Sequence, residues 1–411
     1  MQLSTMRRID ALVGRPLCFL LGSWARCVDR LSGGSHPKPP RRVLFVELSE
    51  MGSTIIAAPA IQRAHALCEQ PPCFVIFKRN ADSLRLLGLF KEENIFCLPD
   101  TSLMAMVYGV LRFRIWCRQR GIDTVVDLEL YARISSILAV ISGARTRVGF
   151  HNYRAEGLYR GNHLTHPVNY NVYQHMSANF MALLDALEKP ASEEPGPRCA
   201  PRPAEQVVST PIKLELQQHL TEQLKQRCEL PTDAQLIIIN PEAGTLLPIR
   251  NWSRKNFALL SQRLLECDER NVVILMGVPD GQATIEWIHQ EVDDPRCVNF
   301  VSCTRSLDDV LQLCHLSRVL ITNDSGPAHF ATLTPIPIVT LFGPETPTLY
   351  GPRGPRSANL FAGLACSPCL TAFNHRNSGC TDNICLQRIS VQQVFDAARR
   401  LMDDAAQAGP A

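Results

Sequence analysis

The 411-residue sequence lacks several features that would place it at once. It has little net charge: 42 Lys+Arg against 39 Asp+Glu leave +3, which makes no general case for a nucleic-acid partner. It has no long hydrophobic run. The apolar stretch 16–25 contains Gly22 and Ser23 and falls short of the about 20 apolar residues that span a bilayer. It also lacks a small-residue cleavage site, so no cleavable secretory signal is expected. There is no short-period repeat, which argues against a solenoid or propeller. Both the G-x-G-x-x-G dinucleotide fingerprint and the Walker loop are missing.

What is present is ordinary for a folded protein: 45% hydrophobic and 20% charged residues argue against disorder. The length suits two to three domains, two being the economical reading. The 16 cysteines do not imply a disulfide scaffold, because a chain this long builds a core without one. Without a secretion signal the expected compartment is reducing, and most cysteines read as buried small hydrophobes. The charge is uneven. Residues 1–42 hold eight Arg/Lys and two acids, a net +6, leaving 34 basic against 37 acidic residues, or −3, elsewhere. Leu17, Phe19, Leu20, Leu21 and Trp24 lie among these arginines. The segment suits either a lipid interface or a surface helix packed on the following domain.

Residues 33–40 (GGSHPKPP) read as a linker. Strand patterns follow at 42–48, 74–77 and 124–128, and helical patterns at 54–67 (kinked at Pro59), 81–90 and 132–141. Residues 190–211 hold six prolines and form the best inter-domain linker. The alternation then restarts. Strands are expected at 236–240, 272–276, 318–322 and 336–342. Helices are expected at 254–267, 283–291, 307–316 (with Ser306 as N-cap and Asp309 completing a capping box) and 389–402. Strands alternating with helices imply parallel sheets covered on both faces, that is, two doubly wound α/β domains. Two such domains leave a cleft at the carboxyl ends of their strands, where open α/β sheets bind ligands.

Four turns carry candidate chemistry. After the first strand, Glu47, Glu50 and Ser53 place two carboxylates and a hydroxyl at the ligand edge. A carboxylate there could accept a proton from a sugar hydroxyl. The plainer reading, favoured on residue types alone, is a solvated loop with Ser53 capping a helix. Asp324-Ser325-Gly326-Pro327-Ala328-His329 lies between a strand and an apolar helix. Gly326 permits close approach, Pro327 suits the first helical turn, and free amides there favour an anion such as a diphosphate. Asp324 and His329 can add hydrogen bonds, while Asp324 or Ser325 could equally be a simple N-cap. Thr245 and Arg250, beyond the strand ending at Asn240, suit phosphate; the alternative is a surface arginine beside a core tryptophan. Asp280, in a turn after a strand, suits a ribose hydroxyl or is a plain turn residue.

Taken in order, these motifs resemble glycosyltransferase family 9, the lipopolysaccharide heptosyltransferases, from Arg42 through most of the chain. The similarity rests on Met51-Gly52 with Pro59-Ala60, Gly143, Arg147-Val148-Gly149 and Arg250-Asn251-Trp252. Its strongest part is Asp324–His329 with Leu341-Phe342-Gly343. The resemblance implies a GT-B fold of two Rossmann-like domains facing a central cleft. It implies inverting, metal-independent transfer from a nucleotide-diphospho-sugar, typically ADP-heptose, to a lipid-linked saccharide. It places Thr245 and Arg250 on the diphosphate, Asp280 on the ribose, and Asp324, Ser325, Gly326 and His329 on the sugar and phosphates. In the family the residue after Met-Gly is an aspartate regarded as the general base; here it is Ser53, a poor base at neutral pH. Glu50 is the first replacement and Glu47 the second.

The acid pairs Asp293-Asp294, Asp308-Asp309 and Asp403-Asp404 sit in helical or turn contexts, so no catalytic metal and no cofactor for catalysis are expected. Cys366, Cys369, Cys380 and Cys385 suit a structural zinc; free thiols are the next reading and disulfides the last. The expected divisions are a basic amphipathic segment with linker at 1–40, an acceptor domain at 41–189 and a proline-rich linker at 190–211. A donor domain carrying the cysteine cluster follows at 212–388, then a closing helix and tail at 389–411, in the manner of GT-B proteins crossing back to the first domain. The expected partners are a nucleotide-sugar, a lipid-linked acceptor and the inner face of a membrane, reached from the cytoplasm through the N-terminal segment, with no nucleic acid. The competing readings are a non-catalytic sugar-nucleotide-binding protein and a GT-B nucleotide-sugar epimerase.

Overall fold

The computed structural model describes residues 9–31, 39–151, 158–190, 209–244, 247–353 and 356–407. Most of both expected linkers, and Thr245, lie outside the described residues. The chain divides into two compact units: residues 1–206 with 371–377, and residues 207–370 with 378–411.

The first unit begins with one π-helical turn, Asp10–Gly14, that continues as α1 (Arg15–Leu31). Its sheet has six parallel strands in the order β3-β2-β1-β4-β5-β6. These are β1 Val43–Val46, β2 Cys73–Phe77, β3 Ile95–Leu98, β4 Thr124–Asp127, β5 Thr146–His151 and β6 His166–Asn169. The helices are α2 (Met51–Ile56), α3 (Ala58–Leu67), α4 (Ala81–Arg85), α5 (Leu103–Arg120), α6 (Arg133–Ile141) and α7 (Met176–Asp185). Every residue of β1, β2 and β4 is buried, as a parallel strand covered on both faces requires. Phe113 and Cys117 of α5 and Leu138 and Ala139 of α6 close one face over Leu44, Val46, Val75 and Val125.

Three sequence expectations change here. The 54–67 helix starts earlier and is two helices, broken at Ala57, with Pro59 in the first turn of the second. Proline fits that turn because it has no N–H to lose. The 81–90 helix stops at Arg85, and Gly88 follows at φ 63°, in the left-handed region. The N-terminal apolar segment is longer than 16–25: Asp10–Leu31 forms one continuous helical stretch, long and apolar enough to cross a membrane by length and composition. The acids that bounded the run in the sequence turn inward. Asp10 pairs with Arg133 at 3.1 Å and accepts from the amides of Arg133 and Ile134, capping α6 from outside its own segment. Asp29 pairs with Arg147.

The second unit repeats the pattern in the order β12-β11-β10-β7-β8-β9, again all parallel. Its strands are β7 Gln235–Asn240, β8 Asn271–Leu275, β9 Cys297–Asn299, β10 Ser317–Asn323, β11 Ile338–Phe342 and β12 Ser357–Phe361. Its helices are α8 (Leu214–Lys225), α9 (Arg254–Cys267), α10 (Gln282–Val292), α11 (Leu307–Leu316), α12 (Gly326–Ala331), α13 (Pro347–Tyr350), α14 (Ile384–Gln387) and α15 (Val391–Gln407). The capping box at Ser306 and Asp309 forms in both directions. The closing helix α15 packs on this unit's own core: Val394, Phe395, Ala398 and Leu401 join Ile237, Ile321 and Val339. The expected return to the first unit is made instead by residues 371–377. An amphipathic helix goes where its apolar stripe is covered, and the second sheet supplies that cover.

Candidate functional site

In the first unit, β1 runs into the turn 47–50, and Glu50 sits at the N-cap position of α2. Ser53, three residues on, donates from Oγ to Glu50 Oε2 at 2.9 Å. The guanidinium of Arg376 pairs with the other oxygen, Oε1. Arg376 arrives on the 371–377 segment, and Tyr131 holds it: the guanidinium lies 4.3 Å from the Tyr131 ring centroid, and His375 Nε2 donates to the Tyr131 carbonyl at 2.7 Å. Phe373 meets Tyr170 edge-on. Glu50 thus keeps a partly open side chain (29% exposed) with a hydroxyl on one oxygen and a cation on the other.

Glu47 differs. It is buried, and burial first, then the Glu129 and Glu50 carboxylates, holds its carboxyl well above the usual range. Burial disfavours the charged carboxylate form that a general base must present. Of the two expected candidates, only Glu50 is partly exposed.

Sequence reasoning missed three neighbours. Glu129 fastens the turn: its Oε1 accepts from the Leu48 and Ser49 amides at 3.1 and 3.2 Å and from Ser49 Oγ at 2.8 Å. Asp127, at the end of β4, pairs with Arg160 in a buried setting; burial pushes its carboxyl up to about 6 against the pull of that arginine. The available signal was two acids at and just after a strand end, the edge where α/β sheets carry function. Arg376 had no such signal, since it lies in irregular chain more than 300 residues from Glu50.

In the second unit, three chain segments are tied together at the carboxyl ends of β7 and β10. Asn240 Nδ2 donates to Thr322 Oγ1 and to the Glu242 carbonyl, both at 3.0 Å. Asn323 accepts from the Trp252 amide at 3.0 Å and donates to the Pro241 carbonyl at 2.7 Å. Asn251 Oδ1 accepts from the Ala243 amide at 2.6 Å. Gly244 then turns the chain at φ 82°, which a glycine adopts without strain. This frame places Arg250 with Nη1 3.7 Å from Asp324 Oδ2 and Nη2 donating to the Ala243 carbonyl at 3.3 Å. Arg250 Nε is buried and has no hydrogen-bond partner among the described residues. A fork-shaped cation with a spare buried donor suits a phosphate oxygen.

Ser325 occupies the N-cap of α12, but its hydroxyl donates to the Asn323 carbonyl at 3.2 Å and does not cap. Asp324 and His329 are buried. The helix after Gly326 has only six residues, so its dipole contributes less than a long helix would. Asp280 is exposed in the turn before α10. That turn abuts the β7 loop: a Cβ on Gly281 would stand 2.7 Å from Glu242 Cγ. The structure thus gathers Arg250, Asp324 and Ser325, with the Asp280 turn alongside. Glu345, buried just after β11, was not anticipated.

Cys366, Cys369, Cys380 and Cys385 are thiols, with no disulfide among them. They are neighbours: burial, followed by the other three thiols among the charged groups, pushes the Cys385 thiol up. Among the described residues no group of three or more His, Cys, Asp or Glu is arranged to hold a metal ion. The donor set has the softness zinc prefers, yet the thiols as they stand do not close around a point.

Comparison with known proteins adds an independent line. The sequence model of glycosyltransferase family 9 (heptosyltransferase) matches residues 111–377. Lipopolysaccharide heptosyltransferase 2 of Escherichia coli is 31% identical over 108 residues, 26% of this chain and 30% of the relative. Lipooligosaccharide heptosyltransferase 2 of Haemophilus influenzae is 28% identical over 103 residues, 24% of this chain and 29% of the relative. The matched stretch therefore spans under a third of either curated relative. The crystal structure of a family 9 glycosyl transferase from Veillonella parvula superposes with a TM-score of 0.66 at 17% identity, covering 89% of this chain and 98% of that one. At that identity the likeness bears on fold alone, and the fold is GT-B.

Proposed function

Because the chain belongs to glycosyltransferase family 9, the heptosyltransferases, we propose that it moves a heptose-type sugar from a nucleotide-diphospho-sugar, ADP-heptose or a close relative, to a lipid-linked saccharide in lipopolysaccharide or surface-glycan synthesis. The names of the two matched relatives support the sugar and the glycolipid acceptor. The observation that carries the donor assignment is Arg250, which the 240–244, 250–252 and 322–325 segments hold with a buried, unsatisfied Nε. In the reaction Arg250 binds the diphosphate and stabilises its charge as it leaves, the role that a metal fills in other transferases. Asp324, Ser325, Gly326 and His329 orient the sugar and phosphates, Asp280 the ribose, and Thr245 assists at the diphosphate.

Glu50 is the general base in this proposal. It accepts the proton from the acceptor hydroxyl as that oxygen attacks the anomeric carbon from the face opposite the departing diphosphate, so the configuration inverts. Ser53, by donating to Oε2, and Arg376, by pairing with Oε1, fix the carboxylate's orientation. The enzyme works from the cytoplasmic side as a peripheral protein, with α1 against the membrane. A structural zinc on the four clustered cysteines would require their thiols to draw together; elemental analysis of protein purified without chelator should return about one zinc per chain, and none would dispose of the site.

One observation favours a second reading, a sugar-nucleotide-binding protein without turnover. Ser53 stands in the family's aspartate position, and an arginine already neutralises Glu50. Turnover of purified protein with ADP-heptose and a lipid-linked acceptor separates the two. Glu50→Gln should lower kcat by roughly 10²- to 10⁴-fold, the usual worth of a positioned base, while Ser53→Ala should retain activity within about tenfold. A Glu50→Gln enzyme at the wild-type rate removes the base assignment. Donor-induced thermal stabilisation with no transfer in the wild type establishes the second reading.

A further inference from the structure

We propose that the first unit meets an anionic membrane surface through two helices, α1 and α5, and that α5 supplies a lipid-facing stripe that complements α1. The inference extends the peripheral membrane contact proposed for α1 and concerns a different element.

Helix α5 is apolar on two opposite faces. One buries Gly109, Phe113 and Cys117 against the sheet. The other leaves Met104 77%, Tyr108 61%, Leu111 62% and Ile115 58% exposed. Those four recur at steps of four, three and four, which lines them along one side of a helix. An exposed stripe of this length has no reason to persist on a surface that meets only water. A helix apolar all round fits two apolar media, here the protein core and something beyond it.

Charge decides between lipid and protein. The 18 residues of α5 include Arg112, Arg114, Arg118 and Arg120 and no acid. Arg112 and Arg118 are exposed on the solvent side. α1 has the same construction. Its small residues Cys18, Gly22 and Ala25 face the protein, as does Gly14 of the preceding turn, and Leu20 (62%) and Trp24 (60%) face out. Both acids of this segment, Asp10 and Asp29, are committed inward to Arg133 and Arg147. The outward faces therefore combine apolar side chains with arginines as their charged groups, the composition that seats a helix at an anionic lipid interface. Both helices pack beside α6.

Co-sedimentation of the full chain with vesicles of phosphatidylcholine containing phosphatidylglycerol tests this. Three variants are compared: Met104→Ser/Leu111→Ser/Ile115→Ser on α5, Leu20→Ser/Trp24→Ser on α1, and Arg112→Gln/Arg118→Gln. Thermal unfolding of each confirms the fold. Both serine variants should weaken partitioning by roughly tenfold or more, and the glutamine variant should weaken it only on anionic vesicles and only at low salt. If the α5 serine variant binds like wild type while the α1 variant does not, the α5 inference is overturned and the α1 contact stands. If neither variant matters, both fall. If light scattering shows a dimer that the α5 serine variant abolishes, a second copy covers the stripe and the inference is overturned.

Discussion

Arg250 is placed by its neighbours' hydrogen bonds. Asn251 holds the Ala243 amide, Asn323 holds the Trp252 amide, and the guanidinium is left between Asp324 and the Ala243 carbonyl. Arg250→Lys keeps the charge and loses the fork, so donor KM should rise by about tenfold or more with a smaller change in kcat, read from initial rates at saturating acceptor. The Arg-Asn-Trp order and the Asp324–His329 run were legible because each is contiguous. Glu129 and Arg160 were not, because their meaning depends on what they touch. Nothing in the sequence tells that Glu129 accepts three hydrogen bonds from the turn after β1. Glu50 already ranks ahead of Glu47 in the sequence, but the burial that sets the two apart is not written there.

At the scale of elements, the docking of α1 is the least expected result. The helix approaches the protein closely at Gly161, which has φ 92°, and a Cβ there would stand 2.7 Å from the Cys18 carbonyl. Gly161→Ala therefore meets both backbone strain and a main-chain clash. It should lower stability by about 1–3 kcal/mol and make residues 9–31 the first site of limited proteolysis, both measurable against wild type. Helices with one apolar stripe, such as 254–267, were legible from their period. α5 was not: its apolar residues fall on both faces, so it shows no helical period. Strands β3, β5, β6, β9 and β12 were also passed over; β5 and β6 are interrupted by Arg147, Gly149 and Pro167.

The whole molecule should respond to acid through its buried histidines. His163 is buried, and burial first, then Arg147 and Arg160, holds its imidazole down at about 3. Its folded value lies below the unfolded value of about 6.5, so its contribution is full above that pH and lost as pH falls toward 3. By about pH 5 the loss is about 2 kcal/mol. Asp127, pushed up to about 6, works in the opposite direction: the folded state takes its proton more readily, so stability gained on acidification offsets part of the loss. His163→Gln should flatten the fall of unfolding free energy between about pH 6.5 and about pH 5 in denaturant titrations, whatever its effect on absolute stability.

Sequence by itself determined the two-domain α/β plan, because alternating short apolar strands and amphipathic helices can be buried in few other ways. It determined the family through contiguous motifs, and it supplied the residues proposed for the donor. Tertiary structure alone decided three things. It buried Glu47, whose carboxyl is held above its usual range, and left Glu50 partly open, since desolvation depends on the whole surrounding shell. It brought Arg376 to Glu50 across the length of the chain. It also showed that α1 and α5 present apolar, acid-free faces outward. Which side of a helix is covered depends on its neighbours, and no local pattern records them.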